Sequence, residues 1–354
     1  MSLYYKKLAV LLDKIPNGFP PTESGVELKI LAKLFMPEEA ELASHLTSEP
    51  ESSKSIAHRL EQNEKEILSA LIGMIKRGLI GMNREKGGMS FYLIPFVVGF
   101  YELQNAKIDK EFAELFEQYY KEAFHKMTMI KPSVHRIIPV EKTIPVGIDV
   151  MSYQKASTYI ESAKSWGVLN CICRVQQNLI GKGCNHSIEN CLVISPREGA
   201  YDKTDSIRTI TKQEALDILA KSNEEGLVHS TSNVQLDVTY ICNCCTCSCG
   251  ILRSIVEYGN MNSVAGSDFF AVVDEDLCSG CAICIDRCQF KALNMIDDII
   301  SVNKFLCLGC GLCVTTCTEG AITLKQKESE IIEPPPFSES DWKTIRSDAR
   351  KFQN

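Results

Sequence analysis

Eight of the chain's seventeen cysteines fall in a duplicated spacing, C-x2-C-x2-C-x3-C, as Cys278, Cys281, Cys284 and Cys288 and again as Cys307, Cys310, Cys313 and Cys317. Thiolates two residues apart can turn inward from one tight loop onto three irons of a single 4Fe-4S cube. The fourth iron must find its ligand elsewhere, and the fourth cysteine of each run serves the other cluster. The spacing therefore predicts one cluster on Cys278, Cys281, Cys284 and Cys317, and a second on Cys307, Cys310, Cys313 and Cys288. Zinc sites usually space their cysteine pairs further apart than such a run allows.

The duplication extends past the thiols, pairing Leu277 with Leu306, Gly280 with Gly309, Ile283 with Leu312 and Ala292 with Ala321. Gly280, Gly309 and Gly311 stand between thiolates, where a missing Cβ lets backbone N–H groups approach cluster sulfur. The segment from Asp268 to Lys325 resembles the bacterial two-cluster ferredoxin domain. That resemblance implies a pseudo-symmetric fold holding two 4Fe-4S clusters that move single electrons. One departure stands out: proline usually follows the fourth cysteine of each run in that family, and this chain has Gln289 and Thr318. Polar residues there can bring hydrogen bonds or water to the clusters, and such contacts help tune potentials over about 1 V.

The other nine cysteines lie between residues 151 and 260, as Cys171, Cys173, Cys184 and Cys191, then Cys242, Cys244, Cys245, Cys247 and Cys249. The leading expectation is a third iron-sulfur cluster or another metal, with Cys171, Cys173, Cys184 and Cys191 as ligands and Cys242, Cys244 and Cys245 as contributors. A dithiol exchange site drawn from Cys244, Cys245, Cys247 and Cys249 is a rival, and buried free thiols are another. Along one flat strand Cys245, Cys247 and Cys249 would face away from Cys242 and Cys244, so either a turn intervenes or only a subset binds. Arg174 is expected to be solvated, with a hydrogen bond to a cluster or anionic ligand as the alternative, and His186 to be structural, with a ligand role in place of a cysteine as the alternative. Between the two groups, Thr211 and Glu214 predict a capping box for a helix through Leu219, and Gly226 to His229 a strand.

Further elements must position these thiols. Ser55 to Leu60 reads as a short helix, and Asn63 caps a second, with Ile67, Leu68, Leu71, Ile72 and Ile75 on its apolar face and Gly78 at its end. Apolar stretches at Leu79–Met82 and Phe91–Ile94 flank a turn at Lys86-Gly87-Gly88, which together suggest a helix-turn-helix with a β wing. Residues 51–90 hold seven Lys and Arg (including Lys76, Arg77, Arg84 and Lys86) against five Glu. That excess gives few phosphate contacts, and Glu64 and Glu66 open the helix that would enter a groove, so DNA is not the expected partner. Phe112, Leu115, Phe116, Tyr119 and Ala123 recur at helical spacing. Lys131 to Val146, with Pro132, Pro139 and Pro145, reads as an extended connector. After Pro334-Pro335-Pro336 a helical tail carries Trp342, Ile345 and Phe352.

The expected class is α+β and multidomain: a winged-helix-like helical front (1–104), a helix and connector (105–150), a cysteine-rich α/β middle (151–260), the two-cluster ferredoxin fold (267–327) and a tail (328–354). The net charge of -7 argues against a chain adapted to polyanions. The N-terminus has only five consecutive apolar residues after its lysines, short of a signal-peptide core, and no stretch is long enough to span a bilayer. So many thiols point to a reducing, anaerobic cytoplasm. The arrangement as a whole resembles large multidomain ferredoxin-type proteins of anaerobic bacteria and archaea. It implies an iron-sulfur electron-transfer protein or oxidoreductase subunit serving redox partner proteins. The rivals are a reductase with its active site in the middle domain, and a redox-sensing transcriptional regulator. No G-x-G-x-x-G or Walker A sequence occurs.

Overall fold

The computed structural model of the protein describes residues 3–85, 88–104, 107–145, 151–202 and 206–351. Lys86 and Gly87 of the expected turn, positions 105–106, connector residues 146–150 and Phe352 lie outside these. The chain divides into two units, Met1–Met127 with Val175–Gly181, and Thr128–Arg174 with Lys182–Asn354. Both combine helices with sheets, as the α+β class requires.

In the first unit, Asn63 Oδ1 accepts from the Lys65 and Glu66 N–H groups and starts the helix Glu64–Lys76. Ile67, Leu71 and Met74 are its buried stripe, at the spacing of one helical face. Gly78 ends it at φ +69°, and a Cβ there would sit 2.7 Å from Leu103 Cβ. The preceding helix runs Ser53–Leu60 and starts two residues before the expected Ser55, because Ser52 accepts from the Ser55 N–H. Strands β1 (Glu51–Ser52), β2 (Gly81–Glu85) and β3 (Gly88–Tyr92) form one antiparallel sheet in the order β1-β3-β2. Phe96 and Tyr101 are core residues: Tyr101 stacks on Phe116 of the helix Lys110–Tyr119, with centroids 4.1 Å apart, and Phe96 packs on Phe19 and Tyr119.

The second unit is built on a seven-stranded sheet. Its strands are β4 (His135–Ile137), β5 (Ser165–Asn170), β6 (Glu189–Ser195), β7 (Arg208–Ile210), β8 (Val228–Ser232), β9 (Tyr240–Cys244) and β10 (Val264–Ala265), ordered β10-β4-β8-β9-β6-β5-β7. Only the β10–β4 pair is parallel. The stretch expected as a connector thus carries a strand, since β4 finds backbone partners on both sides. Val168, Leu192 and Ile241 stand opposite one another across β5, β6 and β9 and pack under Ile160 and Ala215, from the helices Ala156–Ser162 and Lys212–Glu224. Thr211 caps the latter helix by accepting from the Glu214 N–H, but the Glu214 carboxylate is taken by Arg208.

Strands β11 (Phe269–Val273) and β14 (Ile322–Gln326) pair antiparallel, as do β12 (Leu293–Ile296) and β13 (Ile299–Val302). The first pairing ties the two ends of the eight-cysteine segment together, and Phe269, Ala271, Ile322 and Leu324 turn inward against the thiols. The tail helix Glu339–Lys351 packs back on its own unit: Trp342 Nε1 donates to Ser133 O at 2.9 Å, and buried Arg346 donates to Ile130 O and Pro132 O. Among the described residues no helix is long and apolar enough to cross a membrane.

Candidate metal centres

Cys288, Cys307, Cys310 and Cys313 line a single apolar cavity together with Phe290 and Leu312. They come from two loops: Cys288 follows the short helix Ile283–Arg287, and the other three belong to the second run. Backbone N–H groups already point at two of the sulfurs, Ala292 N at Cys288 Sγ (3.3 Å) and Ala271 N at Cys307 Sγ (3.4 Å). Burial pushes the Cys310 thiol up to about 12 and raises Cys288 as well. A cation that shares the thiolates' charge would reverse that penalty.

Cys284 has Cys281, Cys317 and Cys278 as the thiols that bear on it, beneath a larger effect of burial that raises it. Cys317, from the second run, thus lies among the thiols of the first, as Cys288, from the first run, lines the cavity of the second. The two sets differ in setting, because Cys281 is exposed and Leu277 and Ile283 are each 52% exposed, whereas Leu312, the repeat partner of Ile283, is 1% exposed. Gly309 makes the inner loop possible: it adopts φ +69°, and a Cβ there would lie 2.1 Å from Phe269 O.

The nine middle cysteines do not converge on one point. Strand β9 ends at Cys244, a turn follows, and Cys249 stands just before the helix Gly250–Tyr258, so the thiols divide into two groups. Cys184, His186, Cys245 and Cys247 bring one sulfur or nitrogen each within 4.8 Å of all the others. The second group is a run of buried and half-buried sulfurs in which Cys171 meets Cys173, Cys173 meets Cys249, Cys249 meets Cys244, Cys244 meets Cys242, and Cys242 meets Cys191. Hydrogen bonds from Cys173 and Cys244 hold Cys249 well below the ordinary thiol range. Of the seven candidate ligands, Cys184 and Cys245 thus separate from Cys171, Cys173, Cys191, Cys242 and Cys244. His186 and Cys247, outside the ligand set expected from the sequence, join Cys184 and Cys245 here, and the C-x-H at Cys184 matches the C-x-C at Cys245 in spacing.

Arg174 is not solvated. It is 1% exposed, donating to Ser187 O (3.1 Å), Asn190 Oδ1 (2.8 Å) and Asn243 O (2.8 Å), with Cys245 Sγ 3.7 Å from its Nη2. Among the described residues no carboxylate pairs with it. A hydrogen bond from Cys247, then His186 and Arg174, lower the Cys245 thiol to about 3. Hydrogen bonding to Cys245, and then to Cys184, raises His186 to about 9.

The residues flanking Cys288 join the eight-cysteine segment to the sheet. Arg287 Nη2 donates to Asn223 O and Glu224 O at the C-terminus of the helix Lys212–Glu224, where a cation suits the carbonyl dipoles. Gln289 Nε2 donates to Gly226 O (2.9 Å), and its Oε1 accepts from Thr246 N (3.0 Å) and Thr246 Oγ1 (2.9 Å). A proline at 289 would supply none of these contacts. Thr318 is exposed, and its hydroxyl donates to Glu319 Oε1 at 3.3 Å.

Residues 270–318 match the family of the 4Fe-4S dicluster domain. Neither the curated proteins nor the solved structures gave a match. An iron-sulfur ferredoxin-type domain therefore lies near the C-terminus of this chain, and its cofactor is of the 4Fe-4S type.

Proposed function

We propose that the protein is an electron-transfer protein or oxidoreductase subunit whose ferredoxin-type fold holds two 4Fe-4S clusters, one on Cys278, Cys281, Cys284 and Cys317, the other on Cys307, Cys310, Cys313 and Cys288. The observation that carries this reading is the single cavity that Cys288 shares with Cys307, Cys310 and Cys313. Such clusters supply one-electron transfer when bound. The chain's own residues give the transfer a direction. The set containing exposed Cys281 faces solvent and is the entry for a redox partner protein. The cavity set, flanked by Arg287 and Gln289, faces the cysteine-rich region, where the sulfur run through Cys171, Cys173, Cys249 and Cys244 is the candidate further iron-sulfur or metal site.

The front unit is, on this proposal, a winged-helix-like docking scaffold and not a DNA reader. Its two successive helices and hairpin support that shape, while Glu64 and Glu66 in the first turn of the second helix would meet phosphate repulsion.

The test is spectroscopic. Anaerobically purified protein should carry about eight irons from the two clusters, with more if the sulfur run is loaded. In the Cys288→Ala variant, electron paramagnetic resonance should show damage to the cluster of the second run, and in Cys317→Ala to that of the first. Loss of the sequence-local cluster in either variant would overturn the crossed arrangement.

A further inference from the structure

The group at Cys184, His186, Cys245 and Cys247 has dimensions that the iron-sulfur reading does not use. A tetrahedral zinc ion with Zn–S of about 2.3 Å and Zn–N of about 2.0 Å sets its sulfurs about 3.8 Å apart and its nitrogen about 3.5 Å from each sulfur. In the structure Cys184 Sγ and Cys245 Sγ are 3.8 Å apart. His186 Nδ1 lies 3.3 Å from Cys184 Sγ and 3.8 Å from Cys247 Sγ. A cube-shaped cluster has a metal–metal edge between its thiolates and would hold them further apart. We propose that these four residues bind one zinc ion in a closed Cys3His site, distinct from the iron-sulfur centres.

The surroundings fit that occupant. Three thiolates, a neutral imidazole and Zn2+ leave one net negative charge, and Arg174, buried without a carboxylate among the described residues, sets its guanidinium 3.7 Å from Cys245 Sγ. Ser248 Oγ, 3.5 Å from Cys184 Sγ, is a second donor toward the ligand sulfurs. Such outer contacts orient metal ligands and offset their charge. With all four positions filled by protein, the ion is structural.

What it holds is specific. Thr246, between two of the ligands, hydrogen-bonds through both its N–H and its hydroxyl to Gln289, next to Cys288. Zinc would therefore fix the turn that joins the cysteine-rich region to the inner loop of the ferredoxin-type domain. Gln289 replaces the usual proline because this contact needs its amide.

Zinc and iron can be counted separately on the full chain, so the outcome does not depend on the two-cluster reading. Anaerobic protein produced with both metals should contain about one zinc per chain, and zinc-edge X-ray absorption should fit three sulfurs at about 2.3 Å and one nitrogen at about 2.0 Å. Cys247→Ser and His186→Ala should each lose most of the zinc and keep the iron, while His186→Cys should regain zinc as a four-sulfur site. Wild-type protein without zinc, a zinc shell of another composition, or loss of iron instead of zinc in Cys247→Ser would each overturn the proposal.

Discussion

Gly309→Ala tests whether the inner loop is shaped around its thiols. Gly309 adopts φ +69°, where an L-residue costs about 1–2 kcal/mol. The new Cβ would lie 2.1 Å from Phe269 O and 2.3 Å from Ser267 Oγ. Neither neighbour moves freely, because Ser267 Oγ donates to Gly309 O at 2.8 Å and accepts from Phe269 N, while Phe269 opens strand β11. Overpacking of this kind adds about 1–3 kcal/mol. The sum is about 2–5 kcal/mol, and the forced displacement acts on Cys310, the next residue. Gly320 provides the control: it has φ +66° and no atom within 4 Å of where a Cβ would sit, so Gly320→Ala should cost only the conformational part, about 1–2 kcal/mol. Both variants would be followed anaerobically, as full chains, by loss of cluster absorbance in urea. Gly309→Ala should lose its clusters at clearly lower denaturant than Gly320→Ala. Equal midpoints would refute the idea that close approach at Gly309 shapes this loop.

Gln289→Leu removes the contacts to Gly226 and Thr246 and should cost about 1–3 kcal/mol, with faster hydrogen exchange at the Thr246 amide as the direct readout. Trp342→Ala should cost about 3–5 kcal/mol by stripping the tail helix of its buried anchor while leaving the iron count unchanged, as urea unfolding and metal analysis would check. His229 gives the pH dependence. Burial lowers it from 6.5 to about 4, so the unfolded chain takes up the proton first as pH falls. Stability from neutral His229 is complete above pH 6.5 and drains away toward pH 4, by about 3 kcal/mol. His229→Gln should flatten that part of the stability profile relative to wild type, measured between pH 7.5 and pH 5.

What could be read in the sequence was what is local. The C-x2-C-x2-C-x3-C runs announce their chemistry because three ligands share one loop, and Asn63 and Thr211 announce helix starts because a cap acts within three residues. The strand at His135–Ile137 was hidden because three residues among prolines give no period, and its pairing partners lie far along the chain, in β8 and β10. The middle thiols were hidden for a related reason. Cys184 and Cys245 are 61 residues apart, and only the folding of β6 beside β9 brings their loops together. Density alone therefore favoured one large site, whereas the end of β9 at Cys244 aims consecutive cysteines at different places: Cys244 joins the sulfur run and Cys245 faces His186. A single residue's step decides which centre each sulfur can serve, as expected where a strand gives way to a turn and side chains no longer alternate between two faces. Gln289 follows the same logic. Compared only with the ferredoxin pattern it is a departure beside a cluster, but its side chain answers to Gly226 and Thr246, residues that no reading of the eight-cysteine segment alone could supply.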